Sequence, residues 1–502
     1  MSGVEAKGVC LAIPDNRTQR SILRQLAHRA MIERGLAPDF PPPALAQLDK
    51  IHGPASPAAA PMRDLRNLPW CSIDNDDSLD LDQLTVAESL PGGAAKIQVA
   101  VADVDAIVKK QSALDGHARQ NTTSVYTPAQ VFPMLPERLS TDLTSLGQDV
   151  DRLAVVVEMI FSADGALQES AVYRANVRNR AKLAYNSIAA WFEGSGPAPP
   201  ASGTAVGLDE NLRLQDRVAQ KLKAVRLEFG ALDLETIQPR AIFAGDEMTA
   251  LAAERPNRAT DLIADFMIAA NGVTARFLAA KQFPSLRRVV RTPKHWDRIV
   301  ELAAEHGAAL PSAPDSKALE QFLRMAKRAD ALRFPDLSLS VIKLLGAGEY
   351  VVQLPGRSGP GHFGLAVKDY AHSTAPNPRF PDLITQRLLK AAIGGESFPY
   401  EAGELTELAQ HCTDQEDAAK KVERRMEKSA AALLLRSSIG KPFDAIVTGA
   451  GAKGTWVRIF HPPVEGKLEH GFERLKVGHR LRVRLLRIDV ERGYIDFEKV
   501  GS

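Results

Sequence analysis

Five carboxylates lie within nine positions of the sequence, at Asp74, Asp76, Asp77, Asp80 and Asp82. Like charges held a few Å apart repel one another and raise one another's pKa values. Such a cluster folds stably only where cations neutralise it or where it is open to solvent. Carboxylate oxygens are the ligands that Mg²⁺, Mn²⁺ and Ca²⁺ prefer. The pattern predicts a divalent-metal site, with a solvated acidic loop as the alternative.

The residues around the acids decide between these alternatives. A helix-loop-helix calcium site requires a glycine and a glutamate where this sequence has Leu79 and Thr85. Apolar residues alternate with Asp80 and Asp82, which predicts a strand that carries both carboxylates on one face. Residues 96–103 form a second apolar run that ends in an acid, and we expect it to be the partner strand.

The spacing of these motifs resembles the catalytic centre of the RNase II/RNB family of exoribonucleases. In that family, an aspartate is followed by others six and eight positions later, and then by a strand that ends in Ala-Asp-Val, as at residues 102–104 here. Motifs of the family follow in its order over most of the chain. They occupy residues 123–128, 132–136, 139–140, 145–146, 265–271, 362–365 and 382–387.

The resemblance implies a hydrolytic exoribonuclease that degrades single-stranded RNA from its 3′ end to nucleoside 5′-monophosphates, processively and with Mg²⁺, or alternatively Mn²⁺, as cofactor. Asp74, Asp80 and Asp82 match the first three aspartates of the family motif and would hold the metal. Arg379 matches the second of two consecutive arginines, and a guanidinium suits the developing phosphate charge.

The sequence departs from the family pattern at two positions of the predicted centre. Gln83 replaces the fourth aspartate, so metal affinity should fall unless Asp76, Asp77 or Asp103 compensates. Pro378 replaces the first arginine. These departures favour a second hypothesis, an RNA-binding protein of the same fold whose nuclease site is impaired.

Four further residues are predicted to contact RNA on the same resemblance. Tyr126 matches a tyrosine that stacks on bases, although a core tyrosine is the alternative. Tyr185 and Asp265 match a tyrosine and a glutamate that position the terminal nucleotides. Leu234 stands where well-studied members have a phenylalanine that clamps the terminal base.

The chain of 502 residues is long enough for several domains. We expect a multidomain α/β (α+β) protein with three parts. Residues 1–63 would form a small helical unit, helix-turn-helix or winged-helix in type, that ends in a linker. Residues 64–438 would form the RNB catalytic domain, and the short alternating strands of residues 439–502 predict an S1-type OB barrel.

Basic residues of the barrel are the predicted RNA contacts outside the catalytic domain. They include Arg458, Arg480 and Arg482, with Lys453, Arg474 and Lys476. Basic faces also occur on the first helix and on a last long helix predicted over residues 414–435. Both are explained equally well by solvated helix surfaces.

Composition bounds the class and the compartment. The chain is 45% hydrophobic and 25% charged with a net charge of +2, which is typical of a globular protein and says little about partners. The three cysteines are far apart, which predicts free thiols in a reducing compartment. No apolar run of spanning length and no signal peptide is evident, so we expect a cytoplasmic monomer with no membrane partner.

Overall fold

The structure is a computed structural model that describes residues 18–56, 62–236, 238–331, 333–357, 359–451, 454–473, 475 and 477–501. Its helices are α1 (Gln19–Glu33), α2 (Pro42–Asp49), α3 (Ala113–Asn121), α4 (Tyr185–Phe192), α5 (Leu208–Glu228), α6 (Arg258–Ala280), α7 (Trp296–Glu305), α8 (Ser316–Ala329), α9 (Phe334–Leu345), α10 (Phe380–Gly394) and α11 (Ala402–Leu434).

The strands form one large sheet, three short pairs and a barrel. They are β1 (Arg63–Asp64), β2 (Cys71–Asp74), β3 (Gln83–Ser89), β4 (Ala95–Ala102), β5 (Val125–Tyr126), β6 (Val131–Phe132), β7 (Asp151–Phe161), β8 (Leu167–Arg178), β9 (Ala181–Ala184), β10 (Gln238–Ala244), β11 (Glu247–Glu254), β12 (Ser285–Val289), β13 (Glu349–Gln353), β14 (Pro442–Gly451), β15 (Gly454–Ile459), β16 (Val464–His470), β17 (Arg480–Asp489) and β18 (Tyr494–Lys499).

The large sheet has the order β1-β8-β7-β4-β3-β2-β9. Its centre is antiparallel, with β4 paired to β7 from Ala95↔Phe161 to Ala102↔Ala154, and its two outer pairs are parallel. β4 is buried along almost its whole length, because side chains of both faces enter one core that also takes residues from α4, α5, α6 and α10. The predicted strand over residues 96–103 is therefore confirmed.

Helix α6 is long and apolar enough to cross a membrane by composition alone. However, 61% of its most apolar 18-residue stretch is buried inside the protein. Phe266, Ala270 and Val273 of α6 belong to the core beneath the large sheet. The apolar character of this helix is thus explained by packing.

The N-terminal helices pack onto the catalytic region. Leu23, Ala27 and Met31 of α1 share a core with residues of β5, β6, β11 and α11, whereas Ala44 and Leu48 of α2 enter the core of the large sheet. Between residues 18 and 56 the structure describes two helices and no strand, so the winged-helix form predicted for this segment is not seen there.

The basic face of α1 contacts protein. Arg20 donates to the Gly245 carbonyl of the β10–β11 turn at 3.1 Å, and Arg29 pairs with Glu491 of the barrel at 2.7 Å.

Helix α11 begins twelve residues earlier than predicted, at Ala402.

The C-terminal strands close into a five-stranded barrel of order β14-β15-β16-β18-β17. Four of its strands agree with the sequence prediction, and β16 was not predicted. In β16, Gly466 lies so close to β18 that an added Cβ would meet the Ile495 carbonyl oxygen at 2.5 Å. Phe497 lies in the barrel core and is fully buried, so its ring is not a stacking surface.

Candidate active site

The acid cluster lies on the segment that joins β2 to β3. Asp74 ends β2, and β3 begins only at Gln83, so the strand predicted through Asp80 and Asp82 is wrong. The backbone of residues 79–81 bonds to a neighbouring loop, whereas the Asp82 carbonyl accepts from the Ala102 amide of β4 at 2.9 Å. The Ser145 hydroxyl accepts from the Leu81 amide at 3.0 Å and donates to the Leu79 carbonyl at 2.7 Å.

The three predicted metal ligands lie within one another's electric field. Burial raises the pKa of Asp74 and of Asp80, and it raises the pKa of Asp82 well above its usual value. The charge of Asp74 adds to the rise at Asp80, and the charge of Asp80 adds to the rise at Asp82. A cation among the three carboxylates would relieve this repulsion.

The loop of residues 374–379, just before α10, holds two buried carboxylates. Asp82 Oδ1 accepts from both the backbone amide and the side-chain Nδ2 of Asn377, each at 3.0 Å. Asp382, in the first turn of α10, accepts from the backbone amides of Thr374 and Ala375 at 2.8 and 2.9 Å. Arg379 Nη2 also donates to Asp382 Oδ1, at 2.8 Å. The loop therefore joins the acid cluster to the arginine.

Arg379 lies two residues after Asn377, the residue that contacts Asp82. Its positive charge lowers the pKa of Asp82. Its Nε is buried and has no partner among the described residues, while the side chain as a whole is 30% exposed. Pro378, beside it, offers only its carbonyl, which accepts from the Ser124 amide at 2.8 Å.

Two tyrosines lie within the electric field of the acids. Burial raises the pKa of Tyr126, and the charges of Asp80 and Asp82 raise it further. Burial also raises the pKa of Tyr185, the first residue of α4, with a contribution from Asp74. Tyr126 is 50% exposed, so it is not a core tyrosine. The Glu423 carboxylate of α11 fixes its backbone, because Oε1 accepts from the Tyr126 amide at 2.9 Å.

A cleft of about 1090 Å³ opens beside these residues. Asp80 and Tyr126 line it, together with exposed apolar side chains of which Leu79, Val131 and Ile242 are the largest. On the far wall, Arg240 of β10 pairs with Asp77 at 2.6 Å. The cleft offers apolar surface on which bases could stack.

Two of the predicted RNA contacts lie elsewhere. Asp265 on α6 is 2% exposed and pairs with Arg226 of α5. Burial raises the pKa of Asp265 to about 6, against the opposing charge of Arg226. Leu234 is half-buried and packs against the satellite core that α7, α8 and α9 form. Neither residue lines the cleft.

The acids proposed to compensate for Gln83 are engaged or exposed. Asp103 is buried and pairs with Lys390 at 2.7 Å and with Arg174 at 3.4 Å. Asp77 pairs with Arg240, and Asp76 is exposed. Two cationic side chains already neutralise Asp103, so it does not compensate for Gln83.

The predicted barrel contacts divide into two kinds. Arg458 forms a two-pronged ion pair with Asp336 of α9, at 2.6 and 3.0 Å, and is only 16% exposed. It joins the barrel to the catalytic region. Arg480 and Arg482 point outward from β17 and are exposed. Lys453, Arg474 and Lys476 lie outside the described residues.

The carboxylate oxygens of this centre are suitable ligands for a divalent cation, but their arrangement does not form a complete binding site. Over the part of the chain that the structure describes, no three His, Cys, Asp or Glu side chains converge as metal ligands. Asp82 is turned towards the 374–379 loop, where Asn377 takes one of its oxygens. Asp74 and Asp80 remain as the carboxylates that would hold a cation, with Asp82 beside them. Sequence reasoning missed Asn377 and Glu423, because neither belongs to a repeating pattern.

Comparison with known proteins identifies the family. Residues 62–395 match the RNB domain, and residues 441–500 match the RNase II-type exonuclease C-terminal S1 domain. The chain belongs to the RNB family. It is 29% identical over 474 residues to Ribonuclease R of Escherichia coli (strain K12), which covers 88% of this chain and 57% of that protein. The chain thus spans little more than half the length of that curated relative.

Solved structures agree on the fold. Mycoplasma genitalium RNase R in complex with ribose methylated single-stranded RNA has a TM-score of 0.85 to this chain at 22% identity, and the match covers 97% of this chain and 78% of that chain. Yeast Ssd1, whose structure is described as that of a pseudonuclease, has a TM-score of 0.67 to this chain at 16% identity. The match covers 83% of this chain and 52% of that chain. The RNB fold with its C-terminal barrel is therefore confirmed.

Proposed function

We propose that this RNB protein is a hydrolytic exoribonuclease that shortens single-stranded RNA from the 3′ end and releases nucleoside 5′-monophosphates. The observation that carries the proposal is the proximity of the buried Asp82 and the half-buried Asp74 and Asp80 to Arg379, beside a cleft that Asp80 and Tyr126 line. Phosphodiester hydrolysis needs both an ordered water and positive charge opposite the phosphate.

Each residue of the centre has a part in the proposed reaction. Mg²⁺, or Mn²⁺ in its place, would supply charge neutralisation and a more acidic water when bound. Asp74 and Asp80 would hold it, and Asp82 would orient the water. Arg379 is fixed by Asp382 and has an unpaired Nε, so it can donate to the scissile phosphate. The half-exposed ring of Tyr126 would stack on a base of any identity.

Processive action is part of the proposal. Arg480 and Arg482 on the barrel would hold the strand while the cleft feeds its end to the acids. We also propose that the protein acts as a monomer in the cytoplasm. The described cysteines, Cys71 and Cys412, are buried and free, which is consistent with a reducing compartment.

The decisive experiment follows 5′-labelled and uniformly labelled single-stranded RNA with purified protein and Mg²⁺. We expect nucleoside 5′-monophosphates and one short 5′-labelled limit product. Excess unlabelled RNA, added after the reaction has started, traps any enzyme that dissociates. If the enzyme is processive, it should still degrade the labelled strand to its limit product. Asp82→Asn should abolish monophosphate release and leave RNA affinity within a few fold, since it removes one charge with little change of shape.

The alternative is an RNA-binding protein with an impaired nuclease site. Gln83 and Pro378 favour it, because each removes a charged group that the family pattern carries. In that case the parent protein would bind the labelled RNA and release nothing at any Mg²⁺ or Mn²⁺ concentration. Gln83→Asp would then restore measurable hydrolysis, or lower the Mg²⁺ requirement if the parent is active.

Arg379 offers a second test of the reaction centre. We expect Arg379→Gln to lower kcat by a factor of about 10²–10³, the usual effect of removing one donor to a transition-state oxygen. Arg379→Lys should retain part of the rate, because it keeps the charge and loses the planar fork. Arg379→Gln paired with Asp382→Asn controls for the buried charge left behind. If kcat is unchanged in the single variants, Arg379 does not contact the phosphate.

A further inference from the structure

Asn377 donates two hydrogen bonds to Asp82 of the acid cluster. Its backbone amide and its Nδ2 converge on one oxygen, Asp82 Oδ1, at 3.0 Å each. Asn377 and Asp82 are 1% and 5% exposed, so water does not compete for these bonds. Hydrogen bonds to a buried carboxylate are about twice as strong as neutral ones.

The prolines on both sides restrict the backbone of Asn377. Pro376 has a fixed φ, and Pro378 excludes the helical region for the residue before it. The backbone amide and the side chain of Asn377 therefore point at Asp82 with little freedom to turn away. An arginine at position 378 would not restrict the backbone of Asn377 in this way.

Thr144 lies against the Asn377 amide. The Thr144 hydroxyl is 2.6 Å from Asn377 Oδ1 and 2.8 Å from the Leu139 carbonyl oxygen, and it has one proton for these two acceptors. The Asp82 carboxylate favours Nδ2 on its own side, because a reversed amide would place Oδ1 against it with two acceptors facing each other. Thr144 is also buried, at 5% exposed. Asp82 and Thr144 therefore contact the two ends of the Asn377 amide.

We infer that Asn377 is a positioning residue that holds Asp82 in one rotamer, ties its Oδ1, and leaves Oδ2 as the oxygen offered to the reaction centre. The inference rests on the proposed nuclease function and deepens it. Residues that hydrogen-bond to a metal-binding carboxylate orient it, and their mutation commonly lowers metal affinity 10- to 100-fold. In this chain the partner is an amide held between two prolines.

The test uses the full chain and two readouts, Mn²⁺ binding without RNA by electron paramagnetic resonance and kcat and KM on single-stranded RNA. For Asn377→Leu we expect Mn²⁺ affinity to fall about 10-fold or more and kcat to fall with it, while KM stays within a few fold. Thr144→Val should move both readouts in the same direction by less, because the backbone amide and Nδ2 remain.

Asn179→Leu is the matched control. Asn179 is equally buried and makes three hydrogen bonds, to Ser72, Leu146 and Ala181, without contacting any of the three aspartates. It should lower the melting temperature as Asn377→Leu does, and leave Mn²⁺ affinity unchanged. Asn377→Asp keeps the shape if the leucine variant does not fold, and we expect it to lower kcat by setting a second carboxylate against Asp82.

The outcomes separate the inference from the proposed function. Unchanged Mn²⁺ affinity and kcat in Asn377→Leu, with a lowered melting temperature, would show a purely structural residue and overturn the inference alone. A rise in Mn²⁺ affinity and kcat in Asn377→Asp would overturn it as well. A parent that binds Mn²⁺ and hydrolyses nothing refutes the proposed function, and the binding readout still decides the role of Asn377. A parent that binds no Mn²⁺ refutes both.

Discussion

Asp82, Asp382 and Asp265 are three buried carboxylates that the chain stabilises in three ways. Asp82 accepts two hydrogen bonds from Asn377, Asp382 accepts two backbone amides and Arg379, and Asp265 is paired with Arg226. A buried charge is tolerated only where such partners offset its lost hydration. Amide donors leave the net charge of Asp82 uncompensated, as a cation-binding centre requires. At Asp265, in contrast, the positive charge of Arg226 compensates the carboxylate.

The difference gives a prediction for Asp265. Burial raises its pKa to about 6 from a usual value of 3.8, so the folded protein binds more protons than the unfolded chain between these values. Stability contributed by the protonated form is then lost as pH rises. Between pH 5 and pH 7 the loss should be roughly 1.4 kcal/mol, the equivalent of about one pKa unit.

Asp265→Asn should remove that part of the pH dependence. Urea unfolding of the parent and the variant at pH 5, 6 and 7 measures it. Asp216→Asn serves as the control, because Asp216 is also a buried acid paired with an arginine, Arg258. An equal pH dependence in the parent and in Asp265→Asn would mean that Asp265 titrates normally in the fold.

At the scale of elements, the sequence predicted the regular parts and missed the loops. The apolar run of residues 96–103 predicted β4, because a buried strand leaves its pattern in the sequence. The segment through Asp80 and Asp82 alternates apolar and acidic residues, yet it is held by the Ser145 hydroxyl, and no local pattern records such a distant partner. β16 was missed because its glycine and charged residues suit a strand only within a closed barrel.

The candidate site was predicted to the same extent. The resemblance to the RNB family singled out Asp74, Asp80 and Asp82 among the five acids, and in the fold their charges act on one another and on Tyr126. Asn377 lies 295 positions from Asp82 and has no charge, so nothing in the sequence links the two. Contacts of that kind arise from tertiary packing alone.

The short strand β5 gives the second prediction. It carries Tyr126 into the cleft and is tied to α11 by Glu423. A base that stacks on this ring would gain about 1–3 kcal/mol. We therefore expect Tyr126→Ala to leave a longer limit product on a homopolymer. Without this stacking contact, the shortened RNA dissociates at a greater length. Tyr126→Phe keeps the ring and should give the parent length. Gels of the limit products would refute a stacking role if all three proteins stop at one length.

At the scale of the whole molecule, the barrel is joined to the catalytic region through several contacts. Ala432 and Leu435, at the end of α11, lie in the barrel core. Arg458 pairs with Asp336 on one side. On another side, Glu491 pairs with Arg29 of α1. Removing the barrel after residue 438 would expose apolar surface on α11, so a truncated chain does not report RNA contacts cleanly.

Point variants of the barrel make the last prediction. Arg480 and Arg482 lie on the outer face of β17, while Arg458 is held by Asp336. Each phosphate contact to a single strand contributes about 0.7 to the slope of log affinity against log salt. Arg480→Gln and Arg482→Gln should each flatten that slope by about this amount and weaken binding at low salt. Arg458→Gln should leave the slope unchanged and increase hydrogen exchange in α9 and β15, because it frees the barrel from the catalytic region. Filter binding on a homopolymer across a salt series measures the slopes, and a parent-like slope in both outward variants would place the RNA on another face of the protein.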